Sequence, residues 1–195
     1  LDAGLGGRVE GESGHRTRLL RGRRCAVCHG PARKSPGGTC GALHSLSMRI
    51  WHHEVRLEDI TPLRRETPVG HLVIQFTEIG PDFLRASMPV DARTRQIMGV
   101  LHGGASVALA ETVGSFAANL CVDHEKLMAV GQEINANHLR PVASGRVIAT
   151  ARPVHLGSRS QVWSIEIRDE HDRLVCIPRL TMAVTERRGA PGVGQ

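Results

Sequence analysis

The longest apolar run in the chain covers residues 103–122, where Ala, Val and Leu alternate with small residues and only one charged side chain occurs. This run is too long for a strand, and its Gly, Ser, Thr, Asn and Glu residues make it too polar for a membrane span. It therefore predicts one long, buried helix.

A shorter amphipathic pattern lies before that run. Leu57, Ile60 and Leu63 recur at the spacing of one helical face, which predicts a helix over residues 56–65. The segment 68–70, with a proline and a glycine, is expected to end this helix.

Six β-rich runs accompany the two helices. The first two lie within residues 71–90, where Gly80-Pro81-Asp82 marks a hairpin turn, and a loop is expected over residues 91–101. Because the later runs follow one another instead of alternating with helices, the pattern predicts an α+β fold with an antiparallel sheet curved around the long helix. The remaining four predicted strands cover about 127–139, 145–156, 160–169 and 173–185.

One residue conflicts with this pattern. Pro178 falls within the last predicted strand and has no backbone N–H to donate to a ladder. We therefore expect a β-bulge or an edge position there.

Charge and composition divide the chain into unequal parts. Residues 1–47 contain ten glycines and eight Arg or Lys against three Asp or Glu, whereas residues 48–195 are nearly neutral. The high isoelectric point therefore belongs to the N-terminal segment, and with only 3% aromatic residues a nucleic-acid-binding body is disfavoured. We expect a disordered or extraneous extension over 1–47, one domain over 48–187 and a flexible tail over 188–195.

Three of the five cysteines lie in the N-terminal segment, and they permit two sharper interpretations. Cys25-Ala26-Val27-Cys28-His29 has the spacing of a haem-attachment motif, and Cys25, Cys28, Cys40 and His44 could supply four zinc ligands. No apolar residues would cover such a site. An odd number of cysteines without a secretory signal favours a reducing compartment, so a cytoplasmic location is expected.

Glu111 is the most informative candidate for chemistry. It is the only charged residue between His102 and Asp123, and the residues three and four positions away offer no cation. A carboxylate on such an apolar helix needs hydrogen-bond donors, or a route to solvent or to a distant arginine.

Its neighbours suggest acyl-transfer chemistry. The N–H of Gly103, at the expected helix start, is a natural donor to an oxyanion, and the side-chain amide of Gln96 could supply a second. Ser115 lies one turn after Glu111 on the same face. His102 fits a helix cap, a core histidine or a catalytic group.

These motifs closely resemble those of the hotdog-fold acyl-CoA thioesterases, and in particular the PaaI-type branch. The segments that carry the resemblance are MPVDARTRQIMGVLHGGASVALAETVGS, then EINANHLRP, then HLGSRS, in the same order and spacing. The resemblance covers about residues 48–187. It implies a curved antiparallel sheet wrapped around one long central helix.

The resemblance also implies roles for individual residues. Glu111 would be the nucleophile or the general base, Gln96 and the Gly103 N–H would hold the thioester carbonyl, His102 would orient the site and Ser115 would assist the hydrolytic water. The positions implied to bind CoA are Gly131, His138, Leu139, Arg140, Pro141, His155, Leu156, Gly157, Ser158, Arg159 and Ser160.

The partners implied are an acyl-CoA, or an acyl-carrier-protein thioester, and further copies of the chain, as a homodimer that forms a homotetramer. No cofactor, metal, nucleic acid or membrane is implied. Two other functions share the fold: hydration or dehydration of an enoyl thioester, and non-catalytic sensing of acyl-CoA. The motifs expected of the dehydratases do not occur, and a sensor would be expected to lack Glu111 and to carry a DNA-binding motif.

Overall fold

The computed structural model describes residues 49–60 and 66–187. The two interpretations of the N-terminal cysteines, the expected extension and the expected tail lie outside these residues. Within them, no helix combines the length and the apolar character needed to cross a membrane.

Three helices and six strands occur in the described residues, in an order that agrees with the predicted α+β pattern. The helices are α1 (Leu57–Ile60), α2 (Pro68–His71) and α3 (Gly103–Leu120), and the strands are β1 (Gln75–Ile79), β2 (Leu84–Pro89), β3 (Leu127–His138), β4 (Arg146–Leu156), β5 (Ser160–Asp169) and β6 (Leu174–Glu186).

All six strands form one sheet in the order β1-β2-β4-β5-β6-β3, and every neighbouring pair is antiparallel. α3 packs against this sheet and contacts β2 to β6. The predicted hotdog fold is confirmed in this arrangement.

The core lies between α3 and one face of the sheet. Trp163, Ile165 and Ile167 of β5 are fully buried there, while the intervening side chains point to the other face. α3 approaches closely because its facing residues are small: a Cβ on Gly114 would lie 2.5 Å from Leu180 Cδ2 of β6.

The segment 68–70, expected to end the preceding helix, is itself helical. Pro68 instead begins α2, with Thr67 as its N-cap. Proline suits the first helical position because its missing N–H would have no partner within the helix there. Of the helix predicted over 56–65, α1 accounts for the first part, and residues 61–65 lie outside the described structure.

The expectation for Pro178 also needs correction. β6 is an inner strand, between β5 and β3, and Pro178 pairs in register with Ala136 of β3. On the other side, β6 pairs with β5 at Arg179 and again at Cys176, but no pair forms at Pro178 between them. The register is the same before and after this gap. A local gap in one ladder therefore accommodates the missing N–H.

Candidate active site

Glu111 lies in the middle of α3, half-buried, where its side chain faces β3. The hydroxyl of Ser115, one turn later, donates a hydrogen bond to Glu111 Oε1 over 3.2 Å. The same hydroxyl lies 3.9 Å from Met182 Sδ on β6. The carboxylate is thus directed toward the C-terminal half of α3.

Gly131 of β3 lies directly against this carboxylate. A Cβ at this position would lie 2.4 Å from Glu111 Oε1, which is closer than any real side chain approaches. The pairing of β3 with β6 changes register between Gly131 and Glu133, so a β-bulge bends the strand at this point. Gly131, expected to contact CoA, therefore lies at the proposed reacting group.

Asn119 holds α3 and β3 together beside this point. Its side-chain amide donates to the carbonyl oxygens of Ser115 and Ala129, each over 2.9 Å. Its Oδ1 accepts from the N–H of Ala129 over 2.9 Å. Our sequence reasoning missed this residue, although Glu111, Ser115 and Asn119 share one helix face at intervals of four residues.

The N-terminal end of α3 is capped by His102. Its Nδ1 accepts a hydrogen bond from the N–H of Gly104 over 2.8 Å, and its ring is exposed. A neutral His102 therefore carries its proton on Nε2. Gly103 is the first residue of the helix, so its own N–H has no partner within α3.

His138, at the end of β3, lies over Gly103. A Cβ on Gly103 would lie 2.8 Å from His138 Nε2. The other ring nitrogen, Nδ1, lies 3.3 Å from Cys176 Sγ. Burial raises the pKa of the Cys176 thiol, so the contact at neutral pH joins an imidazole to a thiol rather than to a thiolate. No pattern in the sequence singles out Cys176.

A cavity of about 340 Å³ opens at this end of α3. Gln96 and Gly103 lie on its wall, together with the segment 138–141. Gln96 Oε1 accepts from the N–H of Met98 over 2.9 Å, which leaves the amide nitrogen as the free end of the side chain. The guanidinium of Arg140 donates to the carbonyl oxygen of Leu174 over 2.9 Å and is otherwise exposed.

The other segment expected to bind CoA, residues 155–160, comprises the end of β4, the tight turn over residues 157–159 and the first residue of β5. The N–H of Gly157 donates to Ser160 O over 2.9 Å, and a Cβ on Gly157 would lie 2.5 Å from His155 Nε2. The Arg159 carbonyl accepts from the N–H of Val184 over 2.9 Å, and the side chain of Arg159 is exposed. Leu156 and Ser158 are exposed as well.

The candidate residues therefore form two groups on one chain. Gln96, His102, Gly103 and residues 138–141 lie at the start of α3, whereas Glu111, Ser115 and Gly131 lie at its middle. Gly103 and Glu111 are eight residues apart in the helix, or about 12 Å along its axis. Because the Glu111 carboxylate turns toward Ser115, away from Gly103, the two groups on one chain cannot reach the same carbonyl carbon.

The two expected CoA segments are also apart. Ser160 of β5 and Val130 of β3 both pair with the same residue of β6, so they lie at the same height in the sheet. Ile167 of β5 and His138 of β3 likewise share a partner on β6 and lie at a second height. Seven residues of strand separate those levels, or roughly 23 Å.

No metal-binding cluster lies at these positions. Across residues 49–60 and 66–187, the one group of three side chains with suitably close donor atoms is His52, His53 and Asp123, beyond the C-terminal end of α3.

Comparisons with known proteins show the family to which the chain belongs. The thioesterase superfamily matches residues 98–176, which include α3 and the strands β3 to β5. The chain is 53% identical over 135 residues to the 1,4-dihydroxy-2-naphthoyl-CoA hydrolase of Escherichia coli, a match that covers 69% of this chain and 98% of that protein.

Two further relatives support the same family. The proofreading thioesterase EntH of Cronobacter turicensis is 47% identical over 69% of this chain and 98% of its own length. The crystal structure of a thioesterase from Haemophilus influenzae is 48% identical, covers 73% of this chain and 99% of that chain, and superposes with a TM-score of 0.69. The chain belongs to the hotdog-fold thioesterase superfamily, whose members are hydrolases acting on thioesters.

Proposed function

We propose that this protein hydrolyses an acyl-CoA thioester, with an aryl or medium-length aliphatic acyl group, to the free acid and CoA. The observation that carries the proposal is the Glu111 carboxylate, held by Ser115 on an apolar helix and left accessible by Gly131. A half-buried carboxylate with no side chain opposite it at Gly131 is suited to attack a bound carbonyl group or to activate a water molecule.

The carbonyl oxygen of the thioester must be stabilised as it becomes an oxyanion. The N–H of Gly103 lies at the positive end of the dipole of α3, and the amide of Gln96 lies on the same cavity wall. One donor of this kind contributes about 10²–10³ in rate. His102 is a positioning residue, because by accepting from the N–H of Gly104 it fixes the helix start that presents Gly103.

Glu111 can act by either of two balanced routes. As a general base it takes a proton from water, the hydroxide attacks the carbonyl carbon, and the CoA thiolate leaves and is protonated. As a nucleophile it forms an acyl anhydride as the thiolate leaves, and water then hydrolyses that anhydride. Thiolate is a good leaving group, so neither route needs a strong acid at the sulfur, and Ser115 is placed to hold the water.

We further propose that the complete site forms between two copies of the chain. Glu111 and Gly103 lie about 12 Å apart along α3 of one chain, so each would act with the complementary group of a partner. Among the described strands β3 pairs only with β6, which leaves a 12-residue edge strand that also exposes Met128 and Val130. Long open edges of this kind are normally covered.

Antiparallel pairing of two β3 strands would also assemble a CoA site. In such a pair the C-terminal end of one β3 lies beside the N-terminal part of the other. His138 and Arg140 of one subunit would then lie at the same height in the sheet as the 155–160 segment of the partner subunit. The two guanidinium groups of Arg140 and Arg159 suit the phosphates of CoA, and both are exposed. The proposed functional unit is therefore a homodimer, and its further pairing into a tetramer remains a prediction.

Apolar side chains near the site support the proposed acyl group. Ile97 is 100% exposed and Met98 is 77% exposed in the loop beside Gln96, and Leu139 is 55% exposed beside His138. Such surfaces contact a hydrophobic ligand or a partner subunit more favourably than water. The relative that acts on 1,4-dihydroxy-2-naphthoyl-CoA makes an aryl thioester the first substrate to assay.

The test is the variant Glu111→Gln, assayed against aryl-CoA, aliphatic acyl-CoA and acyl-carrier-protein thioesters. We expect kcat to fall by about 10²–10⁴, because the amide can neither attack nor accept a proton. Binding of acyl-CoA is expected to persist, since Gln keeps the size of the side chain. Glu186→Gln, an exposed glutamate at the end of β6, is the matched control and should retain wild-type turnover.

Turnover by Glu111→Gln within about threefold of the wild type would remove Glu111 from the mechanism. A wild-type protein that binds acyl-CoA without hydrolysing any of the thioesters would point to a sensor, and conversion of an enoyl-CoA to a hydroxyacyl-CoA would point to a hydratase.

A further inference from the structure

Residues 50–53 run across the C-terminal end of α3, where hydrogen bonds to backbone carbonyl oxygens hold them. Trp51 is buried, and its indole N–H donates to Gly80 O over 2.7 Å. The N–H of His52 donates to the carbonyl oxygen of Leu120, the last residue of α3, over 2.8 Å. The positions of His52 and His53 are therefore fixed relative to the helix.

Three side chains converge at this junction. His52 Nδ1 lies 2.9 Å from His53 Nε2, and a carboxylate oxygen of Asp123 completes a set of three donor atoms that all lie within 4.8 Å of one another. The ring of His124 stacks edge-on against His53 at a centroid distance of 5.0 Å, outside this set of three donors.

We propose that His52, His53 and Asp123 form a structural binding site for a divalent transition-metal ion of the zinc type. Zinc–nitrogen bonds of about 2.0–2.1 Å place two tetrahedral ligand atoms about 3.3–3.4 Å apart. The two imidazole nitrogens lie 2.9 Å apart, so they need to separate by only about half an ångström to bind one ion. Each neutral imidazole moves its proton to the nitrogen that faces away, so both lone pairs point to one ion.

The donor set favours this class of ion. Two imidazoles and one carboxylate suit zinc, nickel, cobalt and copper, whereas calcium and magnesium prefer oxygen donors. The negative end of the dipole of the 18-residue helix α3 lies at the same place and favours a cation.

Lys126 is the competing cation. Its ammonium lies 3.1 Å from Asp123 Oδ2, and its side chain is 78% exposed. The Asp123 side chain is only 22% exposed, so the exchangeable partner is the solvated ammonium, which can leave the carboxylate for water when a metal ion takes its place.

A bound ion would tie the segment before α1 to the turn between α3 and β3. Its place is distinct from the proposed catalytic site, because Leu120 lies nine residues beyond Glu111, or about 13 Å along the helix axis. The site is therefore expected to act on stability rather than on the reaction. At a zinc concentration 100 times the Kd, the Tm should rise by about 5–10 °C.

The experiment measures Zn²⁺ binding to the metal-free full-length chain by equilibrium dialysis, with Tm recorded with and without Zn²⁺. We expect the double variant His52→Ala/His53→Ala to bind one equivalent less than the wild type and to lose the zinc-dependent rise in Tm. His71→Ala, an exposed histidine outside the cluster, should retain both. The Tm of the double variant in EDTA shows whether it folds without metal.

Cysteines 25, 28 and 40 could bind zinc independently, so the assay is repeated with all three replaced by serine. Co²⁺ bound by the proposed ligands should lack the intense near-ultraviolet band that thiolate ligands give.

Equal zinc binding by the wild type and the histidine double variant would overturn the proposal, as would loss of all tight zinc binding in the serine variant. If Asp123→Asn alone weakens Zn²⁺ binding while Lys126→Ala strengthens it, the carboxylate is a ligand as proposed.

Discussion

At the scale of single residues, the placement of the Glu111 carboxylate depends on one glycine, Gly131. Glu111 Oε1 can take its place against β3 only because Gly131 carries no side chain, at a strand bend created by the bulge before Glu133. Asn119 then fixes the distance between helix and strand through two hydrogen bonds to the backbone of Ala129, while its third bond, to the carbonyl oxygen of Ser115, lies within α3. A catalytic carboxylate needs this support because small displacements of a reacting group cost large factors in rate.

We therefore predict that Gly131→Ala lowers kcat by at least about tenfold while the protein stays folded. The added methyl group would have to displace Glu111 Oε1, from which an ideal Cβ lies only 2.4 Å away. Steady-state kinetics and a thermal melt are the measurements. Ile148→Ala, at a partly exposed position on the inner strand β4 and outside both groups of candidate residues, is the control, and it should leave kcat near the wild-type value.

If Gly131→Ala retains wild-type kcat, the Glu111 carboxylate can move away from residue 131 without loss of activity. The close contact between Gly131 and Glu111 would then have no part in the reaction.

At the scale of elements, the turn between β5 and β6 shows how local chemistry closes the sheet. Asp169 is buried at the end of β5, and its Oδ1 accepts from the N–H groups of His171 and Arg173, each over 3.0 Å. Its Oδ2 accepts from the Arg173 guanidinium over 2.7 Å. Asp172 takes a left-handed conformation, with φ of 59°, which Asp and Asn tolerate better than most residues.

These contacts make the stability of the turn depend on pH. Desolvation raises the pKa of Asp169, but the hydrogen bonds from Arg173 and His171 outweigh it, so the pKa lies below the ordinary value of 3.8. A carboxylate with a depressed pKa stabilises the fold at pH values above the ordinary pKa. That contribution is lost as the pH falls through the pKa of the folded state.

We expect Asp169→Asn to lower the Tm by a few degrees at neutral pH, with the difference from the wild type shrinking below about pH 4. Melting curves across this range test the prediction. Asp172→Asn is the control, because asparagine suits the left-handed conformation and the carboxylate of Asp172 is largely exposed. A wild-type to Asp169→Asn difference that is constant with pH would exclude the charge as its cause.

At the scale of the whole molecule, the central question is how groups at the start and the middle of α3 act on one substrate. The proposed two-fold dimer would answer it, since each site would then take Glu111 from one subunit and Gly103 with Gln96 from the partner subunit. The two sites are equivalent by symmetry. The open edge of β3 supplies the surface for such pairing.

Mixed dimers test this arrangement directly. Glu111→Gln and Gln96→Ala chains are each expected to be weakly active alone, and after mixing and subunit exchange the activity should rise to about a quarter of the wild-type value. Half of the dimers would then contain both variants, and one of their two sites would carry neither substitution. Activity that stays at the average of the two separate variants, although subunit exchange is demonstrated, would place each complete site within one chain.

Much of the fold follows from the sequence, because hydrophobic periodicity reports which side of an element is buried. The run at 103–122 predicted α3 almost to the residue, and the alternation of Trp163, Ile165 and Ile167 predicted the buried face of β5. The two prolines were less predictable. Pro68 begins a helix and Pro178 lies in an inner strand, because neighbouring elements decide whether a missing N–H matters.

For the candidate site, the sequence by itself determined that Glu111 would lie alone on an apolar helix with Ser115 on the same face, since helical spacing alone fixes both. Only the tertiary structure decided that Gly131 and Asn119 meet that face, and that His138 lies over Gly103 beside Cys176. These contacts join residues on different elements, and no local pattern encodes the register between a helix and a strand. The distance from Gly103 to Glu111 follows from helical rise, but the direction of the carboxylate, toward Ser115 and away from Gly103, was decided by the packing of β3 against α3.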